Sequence, residues 1–312
     1  LNHTSATGYS FTNQAFVEYA NQFGKHNVSV LGGYEQYYEK TESYWLQREN
    51  YAFDIDQIGV GDANSQTNGG SEDEMGRAAW IGQLKYNYDN KYYAEGSIRY
   101  DGSDMFAPGN RWGLFFSGSL GWVVTAEEFM QDLVERNILN SLKLRASYGE
   151  TGIDGSTTKE ISRYAYMTSY SYNPYAYVMN GQYYPGFTEG ALASPDLTWY
   201  TTKQLDFGFD FASLNSRLYG SFDYFYYSTK GYLVAPKGES YINTALGVGL
   251  PRIASDSEHR RAGIEVQLGW RDNIGDLKYD IAGNFTIYNT IWALDESESE
   301  SSRLNPYHRS QQ

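Results

Sequence analysis

The stretch Trp80-Ile81-Gly82-Gln83-Leu84-Lys85-Tyr86-Asn87-Tyr88 decides the fold, because its residues alternate between two kinds of side chain. Every second residue from Trp80 is aromatic, aliphatic or glycine, and the residues between them include Gln83, Lys85 and Asn87. A period of two residues is typical of a β-strand with one apolar and one polar face. The stretch therefore predicts a strand that lies between an apolar and an aqueous environment.

The same alternation restarts after Asp89-Asn90-Lys91, which predicts a hairpin, and it recurs along the rest of the chain. Aromatic residues make up 17% of the sequence, which contains 32 Gly and 31 Tyr, and this composition also favours β-structure. We predict an all-β fold of about ten strands. They are expected near residues 13–22, 27–39, 77–88, 92–101, 113–124, 140–149, 198–211, 217–230, 261–271 and 277–290.

The predicted strands are about twice the usual length of 5 to 6 residues in globular sheets. A tilted strand needs about 9 to 11 residues to cross a bilayer, and only alternate ones must be apolar. A mean hydropathy of -0.60 is therefore compatible with a membrane protein. Strand length favours a transmembrane antiparallel β-barrel.

The connections between the predicted strands alternate between short and long. The short ones are 23–26, 89–91, 212–216 and 272–276, and the long ones are 40–76, 102–112, 150–197 and 231–260. Outer-membrane barrels have short periplasmic turns and longer extracellular loops. One periplasmic connection is longer, and the capping-box pattern Thr125-Ala126-Glu127-Glu128 predicts a short helix over Phe129–Ile138.

The cost of charge in lipid predicts which face meets the membrane, because Lys or Arg at the bilayer midplane of a barrel costs roughly 2–4 kcal/mol. Trp122 and Trp199 fall near strand ends, where aromatic girdles lie. The alternative is a soluble sandwich or propeller with the apolar face inward, which the strand lengths and the loop asymmetry disfavour. We expect Leu84, Ile98, Leu144, Ile264 and Leu268 to face lipid, and Lys85, Arg99, Arg145 and Glu265 to face the lumen.

Four segments, in this order along the chain, resemble one known family. They are GKHNVSVLGGYEQ at Gly24–Gln36, RYDGSDMFAPGNRWGLFFSGSLGWVVTAEEFM at Arg99–Met130, NSLKLRASYGETGIDG at Asn140–Gly155 and SPDLTWY at Ser194–Tyr200. The chain resembles the SusC-like (SusC/RagA) TonB-dependent outer-membrane transporters, with Asp104 where the family usually has Ser and Phe116 where it has Pro. The loops do not match the family.

The resemblance implies that residues 1–312 are part of a single transmembrane β-barrel domain, from the middle of a 22-stranded barrel with a plugged lumen. Both ends of the chain look cut, so the plug domain and the C-terminal strands are expected outside it. The implied function is TonB-dependent active import of a nutrient, an oligosaccharide or a peptide, across the outer membrane of a Gram-negative bacterium. The implied partners are a SusD-like surface lipoprotein in a SusCD-like complex, and the TonB system through parts not in this chain.

Other functions share many of these features. A passive porin-like channel would have the same barrel but no plug. A siderophore or vitamin receptor would use the same TonB-driven transport for another substrate. A binding or enzymatic barrel of about ten strands would need this chain to be whole.

Loop 150–197 is rich in tyrosine, which offers a flat apolar surface and a hydroxyl at small entropic cost. Its tyrosines occur in pairs two residues apart, which predicts a projecting hairpin with each pair on one face. We predict that Tyr170, Tyr172, Tyr175 and Tyr177 contact the ligand or a partner. The alternative is that they pack the loop on itself.

Other classes of function have little support. The net charge of -14 argues against nucleic-acid binding, and catalysis would need an activated histidine among only four. His3, His26 and His308 are predicted to be isolated in loops or turns, and His259, beside Glu258, to be a solvated loop residue. The acidic runs 54–74 and 295–300 offer oxygen ligands for Ca²⁺ without the spacing of a calcium loop, and solvated loops are the favoured prediction. We therefore predict no enzyme activity and no cofactor.

Overall fold

The computed structural model describes residues 1–155, 163–190, 192–234 and 253–295, together with residues 247, 250 and 304. Most of these residues lie in strands. The strands are β1 (Asn2–Phe23), β2 (His26–Gln47), β3 (Thr67–Tyr88), β4 (Tyr92–Ser103), β5 (Trp112–Val123), β6 (Leu139–Ile153), β7 (Tyr170–Met179), β8 (Gln182–Glu189), β9 (Tyr200–Ser213), β10 (Leu218–Lys230), β11 (Leu233–Val234), β12 (Ile253–Ala254), β13 (Glu258–Ile274) and β14 (Leu277–Leu294).

In the described part of the chain, ten strands form one antiparallel sheet in the order β1-β2-β3-β4-β5-β6-β9-β10-β13-β14. The pairs β7-β8 and β11-β12 are separate two-stranded sheets inserted into long loops. The sheet is a meander that does not close on itself, since β1 and β14 lie at its two edges. This confirms the all-β prediction and the strand number. No described helix is both long and apolar enough to cross a membrane.

The largest departures from the predicted strand lengths are in β1, β2 and β3, each of which is longer by about ten residues. The ladder between β2 and β3 runs from His26 opposite Tyr88 to Gln47 opposite Thr67, so the predicted loop 40–76 is a loop only over 48–66. β1 likewise starts at Asn2 rather than near residue 13. The extensions carry polar residues on both faces, so they lack the apolar alternation by which the other strands were predicted. Backbone hydrogen bonds continue the ladder nevertheless.

The short connections are tight turns, as predicted. Gly24 and Gly275 have φ of 63° and 60°, and Asp89 and Asn90 have φ of 52° and 54°, which is the left-handed region that Gly, Asn and Asp adopt most readily. An ion pair of 2.7 Å between Lys25 Nζ and the Asp89 carboxylate joins two neighbouring turns. The hydrogen bond from Lys25 to Asp89 raises the pKa of the lysine above its ordinary value.

The predicted helix Phe129–Ile138 is shorter than expected. Helix α1 spans only Gln131–Glu135 and follows two turns of 3-10 helix. Thr125 does not cap it, because its hydroxyl accepts a hydrogen bond from the backbone N–H of Leu142 and ties the connection to β6 instead. The chain leaves the helical conformation at Asn137, which has a φ of 56°.

The carboxylate of Glu127, in the same connection, is fixed by two aromatic side chains. It accepts hydrogen bonds from the Tyr92 hydroxyl and from the Trp122 indole. These bonds hold the pKa of Glu127 below its ordinary value, with the Tyr92 bond as the larger cause. The periplasmic connection is therefore anchored to the ends of β4 and β5.

Because of the register of the strands, the alternation of apolar and polar side chains continues across the sheet. Leu84 lies opposite Gly96, and Ile98 lies opposite Phe116. From β5 to β14, apolar side chains lie opposite one another in one continuous row. The members of that row are Trp122, Leu144, Phe209, Phe222, Val266 and Phe285. We call this side of the sheet the outward face and the opposite side the inward face.

This register places the two predicted sets of residues on opposite sides of the sheet. The residues predicted to meet lipid lie on the outward face, namely Leu84, Ile98, Leu144, Ile264 and Leu268. The residues predicted to meet the lumen lie on the inward face, namely Lys85, Arg99, Arg145 and Glu265. These charged residues are thus on the opposite side of the sheet from the apolar ones.

Aromatic pairs mark the two ends of the apolar part of the outward face. Tyr34 packs on Trp80 with ring centroids 4.8 Å apart, and Tyr88 packs on Tyr92 at 6.3 Å near the periplasmic turns. Trp122 lies at the end of β5, and its position near a strand end agrees with the prediction. The prediction for Trp199 was wrong, because its indole donates to the Arg111 carbonyl at 2.8 Å and packs against Phe106 and Phe115. Trp199 is part of a packed loop and not of the girdle, and this long-range packing could not be predicted from the local sequence.

The substitution Leu84→Arg tests the membrane orientation of the outward face. Leu84 lies midway between Trp80 and Tyr88, so a charge there should destabilise the barrel by about 2–4 kcal/mol. The measurement is the free energy of unfolding of the full-length protein from phospholipid vesicles.

The matched control is Gln83→Arg on the inward face, where Gln83 already donates to Glu95 at 2.6 Å. An arginine there gains a carboxylate partner and should change stability by less than about 1 kcal/mol. Equal destabilisation by both variants would contradict the assignment of the faces.

Candidate functional site

The predicted projecting hairpin exists in the 150–197 connection. β7 and β8 pair antiparallel and join through Asn180 and Gly181, with φ of 50° and 74°. Two consecutive residues with positive φ are the mark of a tight hairpin turn. The hairpin is separate from the ten-stranded sheet, so both of its faces are available for contact.

The four tyrosines predicted as contact residues all lie on β7 and are exposed. Their exposed fractions are 64% for Tyr170, 64% for Tyr172, 67% for Tyr175 and 59% for Tyr177. The structure therefore brings the predicted residues together on one surface element and does not bury them in the loop.

The expectation that Tyr175 and Tyr177 share a face is wrong. The ring of Tyr175 lies 5.3 Å from that of Tyr183, whereas Tyr177 is paired with Tyr184. Since Tyr183 and Tyr184 are consecutive, their side chains point to opposite faces. The cause is an irregularity between Asn173 and Tyr177, where Pro174 has no N–H for the ladder and the Asn173 side chain accepts from the Tyr175 N–H.

One face of the hairpin carries two aromatic pairs. Tyr172 contacts Phe187 edge-on at 5.9 Å, and Tyr175 contacts Tyr183 edge-on at 5.3 Å. We call this surface the aromatic face, and its members are Tyr170, Tyr172, Tyr175, Tyr183 and Phe187. Tyrosine rings stack on sugars and on peptide groups, and their hydroxyls hydrogen-bond to polar ligands.

A small buried cluster supports the base of the hairpin. Met105 is 2% exposed, Phe106 is fully buried and Leu197 is 2% exposed, with Trp199 packed against them. We call Met105, Phe106 and Leu197 the loop core. It joins the connection after β4 to the connection after β8, so these two loops form one packed unit.

Charged residues fix the same unit to the barrel wall. Arg77 of β3 makes a two-pronged hydrogen bond to Asp154, at 3.0 and 2.9 Å, and Ser103 donates to the same carboxylate at 2.9 Å. Arg163 bridges Asp73 at 2.8 Å and Asp104 at 3.3 Å. The alternation along the sequence did not indicate this network, whose partners are 51 and 77 residues apart.

The inward face is polar, and carboxylates hold Arg145 in place on it. Arg145 lies between Asp210 at 2.8 Å and Asp223 at 2.9 Å. Gly208 makes room for this pair, because a Cβ there would lie 2.0 Å from the Asp223 carboxylate. The Arg145 cluster thus offers hydrogen bonds to a polar solute while its own charges are paired.

Tyrosine rings hold further inward cations. The guanidinium of Arg271 lies 4.2 Å from the Tyr219 ring centre, and the ammonium of Lys143 lies 4.9 Å from that of Tyr93. These are cation–π contacts. A groove of about 410 Å³ on this face is lined by Asp206, Tyr227, His259, Arg261, Glu265 and Tyr288 among others.

The histidines are placed differently from the predictions. His3 lies in β1 rather than in a loop. His26 is the first residue of β2, and its ring nitrogen Nδ1 shares a hydrogen bond of 2.7 Å with the Tyr86 hydroxyl. His259 is part of β13 and packs on Trp292 at 5.0 Å, so it is not a solvated loop residue. Ladder pairing with β10 and β14 extended β13 into the predicted loop. His308 lies outside the described residues.

Neither acidic run gathers metal ligands where the structure describes it. No group of three or more His, Asp or Glu among the described residues is arranged to hold a metal ion, which includes the run 54–74. Of the run 295–300, only Asp295 is described.

The substitution Phe106→Ala tests whether the loop core fixes the hairpin. Removing a fully buried ring should destabilise this unit by about 3–5 kcal/mol and increase amide hydrogen exchange in β7 and β8. The control is Phe129→Ala, since Phe129 is 69% exposed in the periplasmic connection. Unchanged exchange in the Phe106 variant would show that the hairpin is held by other contacts.

Comparison with known families matches residues 1–309 to the family described as TonB dependent receptor-like, β-barrel. Among curated proteins, TonB-dependent receptor P3 of Formosa agariphila is 32% identical over 222 residues, which is 70% of this chain and 21% of that protein. TonB-dependent receptor SusC of Bacteroides thetaiotaomicron is 28% identical over 297 residues, which is 93% of this chain and 28% of that protein. This chain thus spans about a quarter of the length of these relatives.

Solved structures show the same fold. The RagAB peptide importer in its open-open state superposes with a TM-score of 0.79 at 22% identity, over 95% of this chain and 31% of that chain. The ferric-catecholate import receptor Fiu of E. coli gives 0.55 at 10% identity, over 93% of this chain and 39% of that chain.

Proposed function

We propose that this chain, which belongs to the TonB-dependent receptor-like β-barrel family, forms part of the wall of an active nutrient importer. Members of this family are outer-membrane β-barrel transporters and not enzymes. The location in the outer membrane and the lack of enzymatic function therefore agree with the sequence predictions. The observation that carries the proposal is the sheet with an apolar outward face and a polar inward face, matched to this family over residues 1–309.

The proposed transport process is TonB-dependent import of an oligosaccharide or a peptide. Similarity to SusC over 93% of this chain supports the SusC-like branch over a siderophore or vitamin receptor. The inward face also fits a polar solute, since carboxylates hold Arg145 there and a tyrosine ring holds Lys143. A passive porin-like channel is disfavoured because the family is TonB-dependent.

Residues 1–312 are proposed to be one part of a single barrel domain whose other strands, with the plug domain and the TonB-contacting segment, belong to the longer protein. The lengths of the relatives support this, because the matched region is 21% of one and 28% of another. Energy from TonB would then act through parts outside this chain.

A SusD-like surface lipoprotein is the proposed partner at the extracellular mouth. The support is the likeness to SusC together with the long connections on that side, which build an ordered platform from the loop core and the hairpin. The aromatic face projects from this platform and is the proposed contact surface for substrate or lipoprotein. Tyr170, Tyr172 and Tyr175 lie on it, and Tyr177 lies on the reverse side.

A triple variant in which Ser replaces Tyr170, Tyr172 and Tyr175 tests the aromatic face. Loss of three exposed rings should weaken substrate uptake or lipoprotein association about tenfold or more, because aromatic contacts dominate such surfaces. Uptake is measured in cells, with heat-stable migration on gels as the check that the barrel is intact.

The matched variant replaces Tyr177 and Tyr184 with Ser on the reverse side and should have a much smaller effect. Normal uptake and normal association in the triple variant would assign the tyrosines to packing. That result would not affect the assignment of the chain to its family.

The lipoprotein partner is tested by purification of the full-length protein in mild detergent. A stoichiometric lipoprotein should be recovered with it. Repeated recovery of the transporter alone, with full transport activity, would contradict the proposed pairing.

A further inference from the structure

The outward face changes character at its extracellular margin. In β10 and β13 the apolar runs end at Tyr226 and Ala262, which are paired in the ladder. The next two outward positions along these strands are charged or hydroxylic: Ser228 and Lys230 on β10, and Arg260 and Glu258 on β13. On β9 the outward residue of the same row is Lys203, opposite Ser228. We call Lys203, Lys230 and Arg260 the cationic rim.

The residues of the cationic rim lie close together. Lys203, Ser228 and Arg260 form one continuous row across β9, β10 and β13, and Lys230 lies in the adjoining row opposite Glu258. Two inter-strand spacings amount to about 10 Å, so the three cationic side chains can reach a common ligand.

Two carboxylates accompany the rim without neutralising it. Arg260 Nε and Nη2 donate to Glu258 at 2.8 Å each, and Lys230 Nζ lies 3.3 Å from the same carboxylate. Lys203 Nζ lies 3.2 Å from Glu150. Three positive charges therefore face two negative ones.

The cations, rather than the carboxylates, face the surroundings. The side chains of Lys203, Lys230 and Arg260 are 54%, 58% and 42% exposed, whereas those of Glu150 and Glu258 are 11% and 9% exposed. Glu258 is covered further by the Ser228 hydroxyl, which donates to it at 2.6 Å. The outer surface of this patch is thus positive.

A positive outward patch is exceptional in a chain with a net charge of -14. In the ten described strands of the sheet, the other outward Lys or Arg is Lys40, which is 20% exposed and surrounded by Glu42, Glu72 and Glu74. The rim is therefore distinguished by both its charge and its position.

We infer that the cationic rim binds a phosphate group of the glycolipid in the outer leaflet of the outer membrane. The outward face meets lipid, and the rim lies where its apolar runs give way to the extracellular side, at the depth of lipid head groups. The outer leaflet of such membranes is built from lipopolysaccharide, whose lipid A anchor carries phosphate. Lys and Arg are the side chains that bind phosphate, and basic groups at a membrane surface attract anionic head groups. The site would fasten this part of the wall to its surrounding lipid.

The test uses the full-length protein in detergent with purified lipid A, and native mass spectrometry to measure bound lipid. The variant is Lys203→Gln with Lys230→Gln, which keeps the Arg260–Glu258 pair and so protects folding. Two lost contacts at about 1 kcal/mol each correspond to roughly thirtyfold weaker binding of lipid A. Dephosphorylated lipid A should bind the unaltered protein about as weakly.

The matched control is Lys85→Gln with Lys143→Gln, which removes the same charge from the inward face and should leave lipid A binding unchanged. Excess inorganic phosphate should not displace lipid A. Equal lipid A binding by the rim variant and the unaltered protein would overturn the inference. Displacement by inorganic phosphate would also overturn it, in favour of a site for free phosphate.

Discussion

Every peptide group within a lipid bilayer must find its hydrogen-bond partner inside the protein, and between the edge strands β1 and β14 the antiparallel ladder meets that requirement. The ladder also fixes the faces, because adjacent strands place directly opposite residues on the same side of the sheet. A register error of one residue in any strand would turn its charged side chains toward lipid. The apolar row from Trp122 to Phe285 and the inward Arg145 cluster are therefore two consequences of one set of backbone pairings.

The same ladders continue above the membrane and build the extracellular side. Beyond Tyr34 and Trp80 the pairing of β2 and β3 extends to Gln47 and Thr67, where polar side chains occur on both faces. This extension supplies Asp73, to which Arg163 is anchored at the base of the tyrosine hairpin. The rigid wall thus positions a loop unit, and the loop unit positions the aromatic face.

Sequence alternation predicted the part of the fold that lipid constrains. β4 was expected over 92–101 and spans Tyr92–Ser103, because its inward and outward residues differ sharply in polarity. Where lipid no longer imposes that difference, as in the first half of β1 and the outer ends of β2 and β3, the strands were missed. The hairpin was predicted from paired tyrosines, but the irregularity at Pro174 depends on how its two strands pair and changed which tyrosines share a face. The Arg77–Asp154–Ser103 network joins residues distant in sequence, so no local pattern could have indicated it.

The central claim is that alternate residues of these strands contact lipid, and single-cysteine labelling of consecutive positions in β4 tests it most directly. Cysteines at Ser97, Ile98, Arg99 and Tyr100 in the full-length protein, embedded in bilayers, would be exposed in turn to a lipid-soluble and a water-soluble maleimide. The account predicts that the lipid-soluble reagent labels positions 98 and 100 and that the water-soluble reagent prefers 97 and 99. Labelling of position 99 by the lipid-soluble reagent, with position 98 spared, would contradict it.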